Sequence, residues 1–526
     1  VEKSTPNPIN VELFWRLKKR IEELHIENIK LVQFKMLLDN TEYREHVIEQ
    51  AKLSTDPELL EIIREIEKND GKVGRARTTS AASGPQPIPQ SRIYKQLFYG
   101  LASIFLVVLG TTGFINLFEH RPVHISQDIS SDQTWTRGEV YILDKLIYVR
   151  DGAKLTIEPG VTIQGKNGSA LIVTQHSSLH AKGTAEAPIV FTSAQALGKR
   201  QPGDWGGLVL LGQAPVNSGK PTIEGVAEND QSGLFGGDNP DHSCGVMEYV
   251  RIEFAGYEVY ANNELNGLTL GGCGANTIIR NVQVHRALDD GIEVFGGTVD
   301  LKNIVITGAG DDGLDWDMGW QGRVQFLVVQ QYADTGDNAF EGDNNKKEHN
   351  AQPRSNPTFY NVTLASSGTS GKAHRGILVR HGSGGYFHNM LISGFSKEAV
   401  DFRDEIDAVL GENALDFSHN IVSQSGPSGL AFPESEAKDN DYGFDEKAYV
   451  KLPEKLNTIT LQGFLTLAAK DQFEPRFAPP LSHDSFKQVK PIPQGDFWDE
   501  SAQYPGALPS GSGKTWLDGW TAYPEK

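Results

Sequence analysis

Four carboxylates recur at one place in a repeated segment: Glu293 in Gly291-Ile292-Glu293-Val294, Asp315 in Gly313-Leu314-Asp315-Trp316, Glu341 in Ala339-Phe340-Glu341 and Asp401 in Ala399-Val400-Asp401-Phe402. In a strand the alternation puts Ile292, Leu314, Phe340 and Val400 on one face and the four acids on the other. Asp289-Asp290, Asp311-Asp312 and Asp337 form a second acidic line just before each strand, and Asp317 and Asp343 extend the cluster. Stacked about 4.8 Å apart, such carboxylates repel one another unless neutralised. Three chemistries are open to them. The acids can cap loops or pair with Arg375, Arg380 and Arg403. Hard oxygen ligands packed together suit Ca²⁺, with Glu293, Asp315, Asp317, Glu341 and Asp343 as candidate ligands, although neither the EF-hand loop nor the calcium-binding nonapeptide is matched. Paired carboxylates can also act as acid and base in glycoside hydrolysis, or a cation and an arginine can support lyase chemistry. On that reading Asp311, Asp312 and Asp315 are the acids, with Arg380 and His381 nearby.

The elements that position these acids are repeats. The first series reads Asn281-Val282-Gln283-Val284, Asn303-Ile304-Val305-Ile306, Asn361-Val362-Thr363-Leu364, Asn389-Met390-Leu391-Ile392 and Asn420-Ile421-Val422, with Gln325-Phe326-Leu327-Val328 at the third place. The second contains the acidic segments together with Gly267-Leu268-Thr269-Leu270 and Gly376-Ile377-Leu378-Val379. The shortest spacings are 22–24 residues. A unit of that length with two or more short strands is one coil of a right-handed parallel β-helix, and residues 140–430 would make about twelve coils. Asn at one place in each coil can stack into a hydrogen-bonded ladder at the bends. The longer spacings hold inserted loops such as Gly342–Asn356. The leucine spacing of a leucine-rich repeat is absent.

These motifs carry a resemblance. Ile147-Tyr-Val-Arg-Asp-Gly-Ala-Lys-Leu-Thr-Ile-Glu-Pro-Gly-Val-Thr-Ile163 is similar to the first coils of an exported bacterial β-helix family. Asn266–Gly272, Asp289-Asp-Gly-Ile-Glu-Val-Phe-Gly-Gly297 and Gly310-Asp-Asp-Gly-Leu-Asp-Trp-Asp317 resemble it too, as does the ending Phe497-Trp498 … Tyr504–Ala507 … Trp516–Trp520. The resemblance spans roughly residues 138–526. It implies a secreted, surface or lipid-anchored protein and no agreed activity.

The N-terminus departs from that family. Leu97–Phe118 is 22 residues without a charge, long enough at about 1.5 Å per residue to cross a hydrocarbon core of about 30 Å. Lys72, Arg75, Arg77, Arg92 and Lys95 precede it with no acid between Gly71 and Gln96, which places the N-terminus in the cytoplasm. The expected location is therefore the bacterial inner membrane, with the β-helix in the periplasm. Residues 1–96 hold 16 Lys+Arg against 15 Asp+Glu, so the whole excess of the net charge of −19 lies beyond them and excludes nucleic acid as a partner of that part.

The expected organisation is a cytoplasmic helical unit (1–70), a basic linker (71–96), the membrane helix (97–118), a second linker (119–138), the β-helix (139–435) and a C-terminal capping segment (436–526). In the first unit Leu17 and Ile21, with Phe14 and Leu24, follow the spacing of one apolar helical face over Val11–Leu38. A second helix is expected over Glu42–Leu53. Thr55-Asp56-Pro57-Glu58 starts a third, with Thr as cap, and Asn69-Asp70-Gly71 ends it.

The only two cysteines, Cys244 and Cys273, lie in adjacent coils on the oxidising side and are expected to form a disulfide. Trp316, Trp320, Tyr332 and Tyr386 could line a sugar- or partner-binding face, whereas Trp516 and Trp520 read as core or end-cap residues. No Ser-His-Asp elbow, Walker loop or HExxH motif is present. The leading expectation is a non-enzymatic, membrane-anchored scaffold or binding subunit that engages other membrane or periplasmic proteins. The alternatives are a periplasmic polysaccharide-degrading enzyme (glycoside hydrolase or lyase), which would make carbohydrate a partner, and a transmembrane signalling protein with a cytoplasmic docking module. No cofactor beyond Ca²⁺ is indicated.

Overall fold

The computed structural model describes residues 17, 20, 21, 47, 48, 51, 52, 54 and 56–73, and then 122–526 apart from 228–229, 261–262, 367–371, 373, 427–431, 433–443, 464, 466–487 and 511–512. The chain forms two units, Val1–Thr112 and Gly113–Lys526. The expected membrane helix at 97–118 and most of the first two helices lie outside the described residues. Among the described residues no helix is long and apolar enough to cross a membrane.

In the first unit Leu17 and Ile21 are buried, as their spacing requires, and so are Leu59, Ile62, Ile63 and Ile66 of the helix Pro57–Val73. Asp56 caps that helix: its Oδ1 accepts the Leu59 N–H at 2.8 Å. Thr55 was the expected cap. Asp56 takes the position because the helix begins at Pro57, and its carboxylate also binds the Arg20 guanidinium at 2.8 and 3.1 Å. The helix runs on through Asn69-Asp70-Gly71 to Val73.

The second unit is a parallel β-helix. One sheet has nine strands in sequence order: Leu146–Val149, Ala170–Val173, Leu208–Leu211, Leu268–Gly271, Ile292–Phe295, Leu314–Asp317, Asn338–Gly342, Arg375–Val379 and Glu398–Phe402. Among the described residues this sheet has nine rungs, and in the other sheet an unbroken line of parallel pairings from Val123–Ile125 to Thr458–Thr460 passes through twelve strands. Register aligns Leu171, Leu208, Leu268, Ile292, Leu314, Phe340, Ile377 and Val400, and all of them face the tube interior and are buried. The other strands, apart from the antiparallel pair Glu258–Tyr260 and Asn263–Glu264, form a long parallel sheet that includes Gly245–Glu253, Ile278–His285, Asp300–Thr307, Arg323–Gln331 and Thr358–Ser366.

The glycines before strands of the short sheet, Gly291 and Gly313, are a packing requirement, whereas Gly272, Gly296 and Gly297 after strands have the positive φ of turns. A Cβ on Gly291 would lie 2.2 Å from Ile306 Cγ2 and 2.6 Å from the Gly313 oxygen. On Gly313 it would lie 2.4 Å from Val329 Cγ1 and 2.5 Å from the Ala339 oxygen. The sheets converge there, and a side chain would push them apart.

The asparagine series does mark bends. Asn281, Asn303, Asn361 and Asn389 have φ of 53–58°, in the left-handed region that Asn tolerates better than other non-glycine residues. At the third place Phe326, not Gln325, is the left-handed residue, and at the last it is His419, not Asn420. The side chains do not form a continuous ladder. Gln325, Asn361 and Asn389 of the series, together with Gln283, hold residues of the C-terminal segment against the outside of the long sheet. Gln283 exchanges two hydrogen bonds with the main chain of Ala522 (2.7 and 2.9 Å), Gln325 with Asp499 (3.2 and 2.7 Å) and Asn389 with Lys490 (2.8 and 2.8 Å). Asn361 donates to the carbonyls of Ala502 and Tyr504. Beneath this strap Trp520 is buried with Val305, Val328 and Ala365, so it belongs to a core, but one along the side of the tube rather than at its end.

Candidate functional site

The outward column of the short sheet reads Ile172, Val209, Thr269, Glu293, Asp315, Glu341, Leu378 and Asp401. Glu293, Asp315 and Glu341 are thus consecutive rungs, and Leu378 separates them from Asp401. These acids leave the tube without reaching open solvent. Glu293 is 8% exposed and Asp401 2%. The insertion between Leu211 and Cys244 folds back over the sheet. Its Ile223, Val226 and Phe235 cover Ile172, Val209 and Leu211, and Asn217 reaches the loop after Gly342, donating to the Asn344 oxygen at 2.9 Å.

The line before the strands is also built into the fold. Asp290 Oδ1 accepts the Asp312 N–H at 2.8 Å, and Asp312 Oδ1 accepts the Asn338 N–H at 2.6 Å. Each carboxylate therefore closes a backbone donor of the next rung. Asp311 remains exposed at the rim.

Cations neutralise the lower half of the cluster. The Arg380 guanidinium binds Asp343 Oδ1 at 2.8 Å and also Glu341 Oε2. His381 Nδ1 is 3.1 Å from Asp343 Oδ2, and Lys346 Nζ is 3.7 Å from the same oxygen. Arg375 binds Glu398 and, at 3.1 Å, Asp401, and Arg403 closes on Asp401 at 2.9 Å. Burial alone would push the Asp343 carboxyl up, but hydrogen bonding from His381 and the charge of Arg380 outweigh it and hold the carboxyl below its ordinary value. Glu341 is raised by burial to about 7, with Arg380 opposing the rise. Asp317, whose Oδ1 accepts the Met318 N–H, is raised to about 6 by burial and by Asp343.

Among the described residues no Lys, Arg or His comes within ion-pair distance of Asp290, Glu293 or Asp315 in the upper half. Asp290, Glu293 and Asp315 bring carboxylate oxygens within 4.8 Å of one another, and a second trio of Asp289, Asp290 and Asp311 shares Asp290. Burial first, and then the neighbouring carboxylates, push Asp290, Glu293, Asp312 and Asp315 well above the ordinary range.

The structure thus gathers Glu293, Asp311, Asp312, Asp315, Asp317, Glu341, Asp343, Arg380 and His381 on one face but divides them. Arg380 and His381 belong with Asp343 and Glu341, not with Asp311 and Asp312. Trp316 and Trp320 are fully buried in the tube, and Tyr332 is also buried, so they line no open face. Trp316 meets Phe340, Phe359 and Phe387 in an interior aromatic tier. Tyr386 is half-buried and donates to the Asn413 oxygen at 2.8 Å. Sequence reasoning missed Asn266 and Arg354. Asn266 stands before Gly267 as Asp290 stands before Gly291, so column alignment could have found it. Buried Arg354 binds Glu412 and the carbonyls of His349 and Gly382 and shapes the loop after Gly342, and nothing local to it signals that role.

Cys244 and Cys273 form a disulfide, with Cα atoms 5.7 Å apart and both residues inside the tube. It pins the end of the covering insertion to the next coil. Among curated proteins and among solved structures no match is found. A family model described as a pectate-lyase-like β-helix domain matches residues 127–425, more than half of the chain. The parallel rungs, the continuous apolar interior and this match agree: the chain belongs to the pectate-lyase-like β-helix domain family.

Proposed function

We propose that the β-helix is a non-enzymatic scaffold or binding subunit of a membrane-associated assembly, held at the inner membrane by residues 97–118 and exposed to the periplasm. The observation that carries this reading is the fixation of Arg380: two carboxylates, on Asp343 and Glu341, hold its guanidinium. A catalytic base or a substrate-binding arginine needs a face free for substrate. Asp312 is committed in the same way to the Asn338 N–H, and Trp316 and Trp320 are core residues rather than a stacking platform for sugars. The disulfide supports an oxidising compartment.

The alternative is a polysaccharide-degrading enzyme. The family supports it, and so does the exposed position of Asp311 beside Asp289 and Asp290. Mild detergent extraction of the full chain followed by sizing separates the two. A stoichiometric membrane or periplasmic partner is the expected result. A lone monomer that cleaves acidic glycans, with the activity lost in Asp311→Asn, overturns the scaffold reading.

A further inference from the structure

We propose that the C-terminal strap of one copy docks on the long sheet of a second copy, so that chains of the membrane-associated assembly are joined by exchange of straps. The inference rests on the scaffold reading and names one of its partners.

The docking face is a groove built for an extended polypeptide. Its floor is the outward column Val305, Val328, Thr363, Leu391 and Ile421, aligned by register on successive strands. Four of these five outward residues are apolar. Trp520, Leu517, Leu508 and Ala507 of the strap pack with Val305 and Val328, and Thr363 Oγ1 accepts the Ala507 N–H at 2.9 Å. The walls are carboxamides. Gln283, Gln325 and Asn389 each bind one strap residue through both its N–H and its carbonyl, and Asn361 binds two carbonyls. A carboxamide offers one donor group and one acceptor, so these grips read main chain. Nothing in them separates a chain's own strap from that of another copy, and exchange of an identical element keeps every contact.

The tether permits the exchange. Gln462 accepts the Ser423 hydroxyl at 2.7 Å, and Lys490, at the head of the strap, binds Asp416 at 2.7 Å. Asp416 and Ser423 lie on the consecutive strands Leu415–Ser418 and Ile421–Ser423. Residues 463–489, 27 in number, therefore join two points of one coil. A chain of that length reaches up to about 90 Å when extended, enough to arrive at a neighbouring tube. Because the contacts are equal, only the effective concentration set by the tether favours a chain's own strap, and that is about millimolar or less. Copies held together in one assembly compete on that scale.

The test uses two full-length chains produced in the same cells and extracted in mild detergent, one carrying Asp416→Asn and the other Lys490→Arg. A carbodiimide condenses Lys490 Nζ with the Asp416 carboxyl into an amide, and the water lost hydrates the reagent. In this mixture Lys490 and Asp416 survive on different chains, so a 416–490 link found by mass spectrometry in a covalent dimer arises only between copies. That dimer is expected, and the link should be lost when both substitutions sit in the only chain produced. A 416–490 link in wild-type chains with none from the mixture overturns the proposal. Absence of the link in wild type overturns it too, because the strap head is then not docked at Asp416. A stoichiometric partner of another kind, without the linked dimer, removes strap exchange and leaves the scaffold reading standing.

Discussion

His285 stands 2.8 Å, through its Nε2, from the carbonyl oxygen of Pro524. A carbonyl can only accept, so Nε2 carries the proton, and Nδ1 accepts from the Thr307 hydroxyl at 2.7 Å. His388 adopts the opposite tautomer: its Nε2 accepts from the Lys490 ammonium at 3.2 Å, and Nδ1 faces the Ser418 hydroxyl. Both rings touch the C-terminal strap, and both are held neutral. Burial lowers each to about 3, aided at His388 by Lys490. A base whose folded pKa is depressed stabilises the fold fully above its unfolded value, near 6.5, and loses that contribution as pH falls toward 3. Each ring therefore contributes on the order of a few kcal/mol at neutral pH. NMR titration should find both imidazoles neutral at pH 5, and the strap should become accessible to protease as pH falls below 6. In His285→Gln the pH dependence of stability over that window should be shallower. An imidazole titrating near 6.5 in the folded chain would contradict this.

The strap is attached both through its buried apolar side chains, Trp520 and Leu517 among them, and through main-chain hydrogen bonds to side-chain amides of the β-helix. Gln325→Ala removes both hydrogen bonds to Asp499, and Asn389→Ala both bonds to Lys490. Each substitution should weaken strap docking by about 1–3 kcal/mol, since each removes two part-buried hydrogen bonds. Hydrogen exchange checks this: faster exchange at Asp499 in the first variant and at Lys490 in the second, with the rungs of the short sheet unchanged.

Reduction should be felt locally and then globally. Cys244–Cys273 closes a separation of 29 residues around the end of the covering insertion. Alkylation of the unreduced, denatured chain should find no free thiol, and the Cys244→Ser/Cys273→Ser pair should lose about 2–4 kcal/mol of unfolding free energy.

How much of this was legible depends on distance along the chain. The alternation in Ile292-Glu293, Leu314-Asp315 and Phe340-Glu341 was enough to align three acids on consecutive rungs, because those coils are nearly equal in length. It also placed Asp401 in that outward column, although the 37-residue step to Gly376 holds an insertion and the rung it leads to presents Leu378 between Glu341 and Asp401. Gln325 looked equivalent to the asparagines by composition, but the left-handed residue is its neighbour Phe326. Burial of the acidic face was not legible, because the insertion that folds over the same sheet, with Ile223 and Phe235 on Ile172 and Val209 and with Asn217 reaching Asn344, lies before Cys244 in the chain. For the same reason Trp316 read as a surface aromatic: its neighbours Phe359 and Phe387 arrive from later coils.

Gly313 should resist substitution despite an ordinary φ. A Cβ there meets both Val329 and the next rung's carbonyl. Gly313→Val should cost about 1–3 kcal/mol by overpacking. Gly411→Ala, where nothing stands within 4 Å of the added carbon, should stay within about 0.5 kcal/mol of wild type. Equal melting curves for the two variants would refute the claim that this glycine column spaces the sheets.

Arg380 separates the neutralised half of the acidic face from the rest, and its loss should be conditional on pH. Arg380→Met leaves Asp343 buried beside Glu341 without its main counter-charge. An uncompensated buried charge costs about 3–5 kcal/mol. Protonation relieves that cost. Glu341 titrates at about 7 even beside the guanidinium, and without that positive charge its pKa, like that of Asp343, can only rise. A carboxyl whose folded pKa is raised costs the fold nothing below its unfolded value near 4.5, and costs progressively more as pH climbs through the folded value. The deficit of Arg380→Met relative to wild type should therefore be large at pH 8 and small at pH 5, and Arg380→Met/Glu341→Gln should recover part of it at pH 8. Chemical unfolding at the two pH values decides it. A deficit independent of pH would mean that Arg380 acts by packing its aliphatic stem, not by its charge.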